Sequence, residues 1–526
     1  MKKGKGGRRG RPSRSASFPP EKPDAGALEA FRARLGELGF GEEPIAARLG
    51  IPHPAALELE RYPVYLGERL DLARPLDALI GLFLLQAEAP RPDVERAVGA
   101  SLTAALVDGG WLDAGARAGK RLRAVASLHP CLGAWFATDP RYRSLEPRDR
   151  RPPGEPVMYL GGDSYALACA TVRRPVEAAL DLCTGSGVHA ILAARHARRV
   201  VAVDLSPRAV RFARFNAALN GVASKVTVLE GDLDAPVEAG ARFDLILSNP
   251  PFVPSPAPLG KRLAFRDAGS TGEDVLAELV RRIPRRLGRD GLALVVTTFV
   301  DEAGRPFRRK LEQWLGPANE QSSLVLRYGV EAPGDYAVAQ ARAAVEERPG
   351  RYEARLATWL RALARARIER VGGGVLVLKP APGPTPPWHR ELSPPAGLKP
   401  YGEAVERALK GCDVARSVVF RDEVFERQAR AAPDIVFQDE SRRAPDGRVA
   451  TTGHRVVSPS SLGGEVGVSA ELRVLLGRAA ESPRPLRALI EEAAGDRGEA
   501  FEATAARLLD DLLELVERGL LILGKA

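Results

Sequence analysis

Sulfur and imidazole are scarce in this chain, which has four cysteines, two methionines and six histidines among 526 residues. Cys131, Cys169, Cys183 and Cys412 stand far apart with no Cys-x-x-Cys pair, and the histidines are as scattered. That argues against a zinc module and a disulfide framework, and no metal is expected. His189 and His196 fall on a predicted helix and read as helix-surface residues. Long apolar runs are missing as well. The longest candidate, near Leu79 to Leu85, is far short of the roughly 20 residues that span a bilayer. The charged N-terminus lacks the apolar stretch of a secretory signal. The expectation is a cytoplasmic protein that makes no membrane contact.

What is present suffices for several folded parts. A hydrophobic share of 45% is that of a globular protein, and 526 residues exceed one ordinary domain. The net charge of +10 is concentrated at one end. Residues 1–22 hold eight basic residues against Glu21, so only +3 is left for the rest. That Gly-, Ser-, Pro- and Arg-rich segment reads as a disordered basic tail over 1–24, either solubilising or a contact for RNA or another polyanion.

Chemistry enters with a strand, a tight turn and a helix. Leu180-Asp181-Leu182-Cys183-Thr184-Gly185-Ser186-Gly187 closes a predicted strand and opens a helix through Ala190, Ile191 and Ala194. Gly185 and Gly187 let the backbone approach a ligand, and the helix start offers unpaired N–H groups. A lone Gly-x-Gly says little. The next strand, Arg199 to Val203, ends at Asp204, the distance at which nucleotide-binding α/β folds place an acid on ribose hydroxyls. A third, Val226 to Gly231, delivers Asp232. These ends share the carboxyl edge of one parallel sheet, where ligands bind. A nicotinamide dehydrogenase fits poorly, since Ala190 occupies the third glycine position.

A further strand, Phe243 to Ser248, runs into Asn249-Pro250-Pro251-Phe252. An amide or aromatic amino nitrogen has a delocalised lone pair and attacks an electrophilic methyl poorly until acceptors localise that pair. The Asn249 side-chain oxygen and the Pro250 carbonyl can accept both N–H hydrogens while Phe252 stacks on the planar group. Pro-Pro fixes φ twice and removes two donors, leaving rigid carbonyls. An isolated Pro-Pro would be read as a turn, and the upstream strands decide against that.

Together these segments resemble the class I S-adenosylmethionine-dependent methyltransferases, in the branch with an Asn-Pro-Pro-Tyr/Phe motif, over roughly residues 155–300 with a later strand near 372–379. The resemblance implies S-adenosylmethionine as cofactor. Gly185 and Gly187 would lie under its methionyl part, Asp204 on the ribose and Asp232 at the adenine amino group. Asp181, Cys183 and Asn249 complete the cofactor-binding set, and Asn249, Pro250, Pro251 and Phe252 form the catalytic one. Asp163 and Ser164 are weaker candidates in a segment covering the cofactor, and Lys261 to Gly272 looks like the substrate-side loop. One departure is Cys183, where the family has a glycine; it reads as a small buried hydrophobe.

The implied fold is α/β, a class I methyltransferase Rossmann-like parallel sheet over 151–380, flanked by helical, winged-helix-like modules. The first module covers 25–150. Leu76, Leu79, Ile80, Phe83 and Leu84 recur at helical spacing, as do Val98, Leu102 and Leu106, before a two-strand ribbon from Arg121–Ala126 and Ala134–Ala137. Inside the catalytic segment, Leu324–Tyr328 reads as an extra strand, Leu356 to Leu363 as an amphipathic helix and Val375–Leu378 as the closing strand. Residues 381–400 are proline-rich and read as a linker. In 401–526, a C-terminal helical or winged-helix-like region, 401–455 shows little periodicity and Glu440–Gly453 reads as a loop. The activity implied is N-methylation of a macromolecule, with protein glutamine in a release factor or ribosomal protein slightly preferred. RNA or DNA base amino methylation (adenine N6 or guanine N2) is the alternative, and a nucleic-acid-binding regulator the third reading.

Overall fold

Phe18 is buried among aromatic rings, with centroids 5.6 Å from Trp111, 5.9 Å from Phe212 and 5.1 Å from Phe215. The computed structural model describes residues 18–114, 120–140, 156–254, 269, 271–345, 352–381, 383, 385–417, 423–443 and 448–524. The basic tail expected over 1–24 therefore lies largely outside the described residues. Its last part is corrected, since the Phe18 ring finds an apolar seat that holds it in the core.

A helix over Pro75–Leu79 continues as one wider turn, Ile80–Leu84, burying Leu79, Ile80 and Phe83. Then follow β1 (Ala89–Pro90), helices Arg91–Val98 and Ala100–Asp108, β2 (Leu112–Asp113) and β3 (Arg121–Ala124), in a sheet ordered β1-β3-β2. The sequence suggested that Arg121–Ala126 pairs with Ala134–Ala137. Instead β4 (Ser127–Cys131) and β5 (Ala134–Thr138) form their own hairpin, because Val125 donates to the Trp111 carbonyl at 2.8 Å and the chain turns there.

The central sheet contains β6 (Val176–Leu182), β7 (Ala197–Asp204), β8 (Val226–Glu230), β9 (Phe243–Ser248), β10 (Leu287–Glu302), β11 (Gln321–Arg327), β12 (Ile368–Pro380) and β13 (His389–Leu392). Its order is β13-β11-β12-β10-β9-β6-β7-β8. The stretch from β8 to β10 is parallel, and its strands are apolar on both faces, as Leu292–Val296 illustrates. The expected Rossmann-like sheet is extended by β12, which runs antiparallel to β10 and β11. Helices Pro333–Val345 and Tyr352–Arg365 pack Tyr336, Trp359 and Leu363 on Val300 and Val371, so the chain re-enters the sheet from the opposite end. The strand direction of connection reverses between β6 and β9, and ligand sites of such sheets lie outside the carboxyl ends at that point.

Two expectations for the rest of the chain are also corrected. Residues 389–392 of the supposed linker are β13, paired in parallel with β11. Residues 401–455 hold a 15-residue helix, Gly402–Arg416, then β14 (Gln428–Ala431), β15 (Val436–Arg443) and β16 (Val449–Val457). The expected loop at Glu440–Gly453 is mostly the β15–β16 ribbon, whose β15 strand is exposed along almost all its length and shows no alternation. After β17 (Val466–Val468) come helix Ala470–Glu481, β18 (Arg484–Pro485), helices Leu486–Gly495 and Phe501–Glu517, and β19 (Leu521–Leu523). The sheet order is β18-β14-β19. This repeats the N-terminal helix, strand, helix, helix, strand succession, with the middle strand supplied from upstream rather than downstream. No helix among the described residues is long and apolar enough to cross a membrane.

Candidate functional site

The carboxyl ends of β6, β7, β8 and β9 open onto a cavity of about 810 Å³. Local chemistry builds its rim. Asp204, ending β7, accepts from the Gly185 N–H at 2.8 Å and from the Ser206 N–H at 2.9 Å, which ties the glycine turn to the next strand. A carboxylate has about four acceptor positions, so two remain for vicinal hydroxyls. Burial raises the Asp204 pKa while the N–H groups of Ser206 and Gly185 hold it down. Gly185 has φ of 55°, and a Cβ added there would meet nothing within 4 Å, so a side chain would stand in the cavity.

Cys183 explains itself through its backbone: φ is 58°, the left-handed region that glycine adopts freely and other residues enter at about 1 kcal/mol or more. The turn keeps its shape with a side chain small enough to sit at the cavity edge, and burial pushes the thiol pKa well up. Of the other expected cofactor residues, Asp232 and Asn249 line the cavity. Asp181 and Gly187 do not. The Asp181 Oδ2 accepts from the Thr184 hydroxyl at 2.5 Å and the Ala190 N–H at 2.9 Å, so it positions the turn from beneath. A Cβ on Gly187 would lie 3.1 Å from Ala213, and its role is close packing of turn and helix.

Burial lifts the Asp181 pKa to about 7 against the hydrogen bonds from Thr184 and Ala190. The folded state thus holds a proton more tightly than the unfolded chain, and stability falls as pH rises from about 4 through 7. Asp181→Asn keeps an oxygen for both donors and removes the ionisation. Thermal melts of the cofactor-free protein are expected to show the variant gaining on the wild type from pH 5 to pH 8, and a gap independent of pH would contradict this.

Asn249 donates from Nδ2 to Asp163 Oδ2 at 2.7 Å and to the Ser164 hydroxyl at 3.4 Å. A carboxylate only accepts, so the amide is oriented with Oδ1 turned away, and Oδ1 has no hydrogen-bond partner among the described residues. Burial raises the Asp163 pKa and the Asn249 bond opposes it. Pro251 lines the first cavity, Pro250 is buried, and Phe252 lines a second cavity beside Asp163. Gly272, with φ of 80°, brings the chain so close that a Cβ would lie 2.4 Å from the Phe252 carbonyl oxygen. Most of the expected substrate-side loop Lys261–Gly272 lies outside the described residues.

Sequence reading missed three features. Leu205 lines the cavity with 65% of its surface exposed, an apolar platform for a planar ring, legible only as a large apolar residue straight after an acidic strand end. Arg208, also on the lining, is buried and paired with Asp139 of the N-terminal module. His189, expected on a helix surface, is buried with a pKa lowered to about 3 by desolvation, because the short helix Val188–Ala193 is covered on every side.

The cavity suits a cation carrying a ribose and an apolar ring. Asp204, Asp232, Asp274 and Glu278 line it against Arg208 and Arg211, and Asp139 already neutralises Arg208. These residues fit S-adenosylmethionine.

A model of the methyltransferase small domain matches residues 164–320, and one of a domain of unknown function matches 37–125. Among curated relatives, the ribosomal protein uL3 glutamine methyltransferase of Bradyrhizobium diazoefficiens is 41% identical over 143 residues, 25% of this chain and 44% of that protein. The release factor glutamine methyltransferase of Mycolicibacterium smegmatis is 39% identical over 123 residues, 21% of this chain and 42% of that protein. This chain thus spans less than half the length of either. The uL3 glutamine methyltransferase of Bordetella pertussis is 34% identical over 237 residues, 38% of this chain and 79% of its own length. With the glycine turn, the acidic strand ends and the oriented asparagine on one sheet edge, that match shows that the chain belongs to the class I S-adenosylmethionine-dependent N-methyltransferases of the methyltransferase small-domain family.

Proposed function

We propose that this chain methylates the side-chain amide nitrogen of a glutamine in a protein, of the kind named for its relatives: a translation release factor or a ribosomal protein. The observation that carries the reading is the orientation of Asn249 by Asp163. Bound S-adenosylmethionine supplies an electrophilic sulfonium methyl. Asn249 Oδ1 accepts one amide hydrogen of the acceptor and the Pro250 carbonyl the other, which concentrates the lone pair on nitrogen and aims it. Phe252 supports the flat amide. The bound cofactor would supply the methyl group, its sulfur keeping the carbon–sulfur electron pair; the part of Asn249, Pro250 and Phe252 would be to hold the amide nitrogen in line, with the displaced amide proton released to solvent. Little rate enhancement is asked of acid–base groups, since nucleophile and electrophile only need alignment.

Protein is favoured over nucleic acid as acceptor by the last described helix of each terminal module. Ala100–Asp108 has no Lys or Arg. Phe501–Glu517 has Arg507 alone, paired with Glu471 and Glu499, among five acidic residues. A nucleic-acid reader needs a basic face.

The test is methyl transfer from radiolabelled S-adenosylmethionine into a lysate separated into protein and RNA. Label in protein is expected, and label in RNA alone would overturn the reading. Asp204→Ala should weaken S-adenosylhomocysteine binding by about 10- to 100-fold, the loss of charged hydrogen bonds of ~1.5–3 kcal/mol, and unchanged affinity by calorimetry would remove the ribose assignment.

A further inference from the structure

Neighbouring residues face opposite ways around Asn249. Ser164, Asn249 and Pro251 line the first cavity, while Asp163 and Phe252 line the second, of about 700 Å³. This second cavity is lined by Thr297, Thr298 and Gly373 of the sheet and by Ser393 to Leu398, chain that leaves the sheet after β13.

This strap is fixed at both ends. Glu391, in β13, accepts from Arg327 Nε at 2.8 Å and Nη2 at 3.3 Å. The Ser393 carbonyl accepts from the Gly463 N–H at 2.7 Å, which ties the strap to the C-terminal region. Past the strap, the Tyr401 hydroxyl lies 2.6 Å from that of Tyr328, and the Tyr401 N–H donates to the Cys169 carbonyl at 2.8 Å. Gly402 sits so close to the helix end before β6 that a Cβ would lie 2.1 Å from the Thr171 carbonyl oxygen. A wall so anchored holds its place when a ligand arrives.

The lining has little net charge. Its charged residues are Asp163, which is bound to Asn249, and Arg327, which is held by Glu391 and lies 3.6 Å from Asp301. A phosphate backbone would meet no uncommitted cation among the described lining residues, whereas an uncharged chain meets threonine hydroxyls, prolines and the Phe252 ring.

We infer that the strap Ser393–Leu398 is the outer wall of the acceptor site, and that the cavity between strap and sheet takes an uncharged, extended peptide segment delivering its glutamine past Phe252. The inference rests on the glutamine reading above and gives the C-terminal region a part in selecting the substrate.

Two substitutions in the 526-residue chain fill the cavity, one from the sheet and one from the strap. Gly373→Val enters open space, since an added Cβ meets nothing within 4 Å, and Ala396→Trp grows from an exposed strap position. With labelled S-adenosylmethionine and lysate protein as acceptor, both variants are expected to lose transfer by at least about tenfold, with S-adenosylhomocysteine affinity and melting temperature unchanged. If Gly373→Val melts early, Ala396→Trp decides. Wild type and both variants labelling protein equally would overturn the strap's role and leave the glutamine reading standing. Label entering RNA instead of protein would overturn both.

Discussion

Asn249→Ala lowers methyl transfer by on the order of 10²- to 10³-fold and leaves S-adenosylhomocysteine affinity within about twofold of wild type. The asymmetry follows from which atoms are committed. The Asn249 Nδ2 is spent on Asp163 and Ser164, and only Oδ1 is left to face the acceptor. In the proposed reading the cofactor would be held chiefly by Asp204, Asp232 and the turn at Gly185, with Asn249 on the same cavity lining but its oxygen reserved for the acceptor. An acceptor amide that loses this hydrogen-bond partner keeps its lone pair delocalised and samples more orientations, so the loss appears in kcat more than in KM. Single-turnover transfer together with calorimetry separates the two quantities. Full activity in the variant would remove Asn249 from the chemistry, and a parallel fall in cofactor affinity would make it a cofactor ligand instead.

Arg208→Ala destabilises the protein by about 3–5 kcal/mol, as removal of one partner from a buried ion pair does. The Arg208 and Asp139 side chains are 7% and 2% exposed and meet through Nε–Oδ2 at 2.8 Å and Nη2–Oδ1 at 2.5 Å. Arg208 also donates from Nη1 to the Phe18 carbonyl at 3.0 Å, while Asp139 accepts from the Val157 N–H at 2.9 Å. One guanidinium thus joins the N-terminal module, the first aromatic residue of the chain and the segment entering the catalytic domain. In the variant Asp139 remains buried with a single donor among the described residues, the Val157 N–H. Urea denaturation reads the loss, and Asp139→Leu combined with Arg208→Met is expected to recover much of it, because no charge is then stranded. A loss below about 1 kcal/mol would show that the pair is solvated in solution. Asn216 strengthens the same joint, donating to Ala137 and Ser186 carbonyls at 2.9 and 2.8 Å, so the glycine turn is braced by the N-terminal hairpin.

What the sequence made legible was local. The turn at Gly185, the acids ending β7 and β8, and Asn249 with its prolines each carry their chemistry within a few residues of a strand end, and turn stereochemistry and short apolar strand runs suffice to place them. The hidden parts depend on distant chain. β13 is four residues inside a proline-rich segment and exists only because β11 offers an edge. Phe18 reads as part of a tail until Trp111, Phe212 and Phe215 are assembled around it. The β15 strand has no buried face to impose a period of two, so its polar residues look like a loop. Asp163 was singled out for its segment, yet its bond to Asn249 joins residues 86 positions apart and no spacing rule points to it.

The most direct test of the account is the site of methylation in protein labelled by the full-length chain, found by mass spectrometry of peptides from a release factor or a ribosomal protein incubated with S-adenosylmethionine. One added methyl group on a glutamine side-chain nitrogen is expected, absent when Asn249→Ala replaces the wild type. A methyl group on lysine, on arginine or on an RNA base, dependent on the same asparagine, would contradict it.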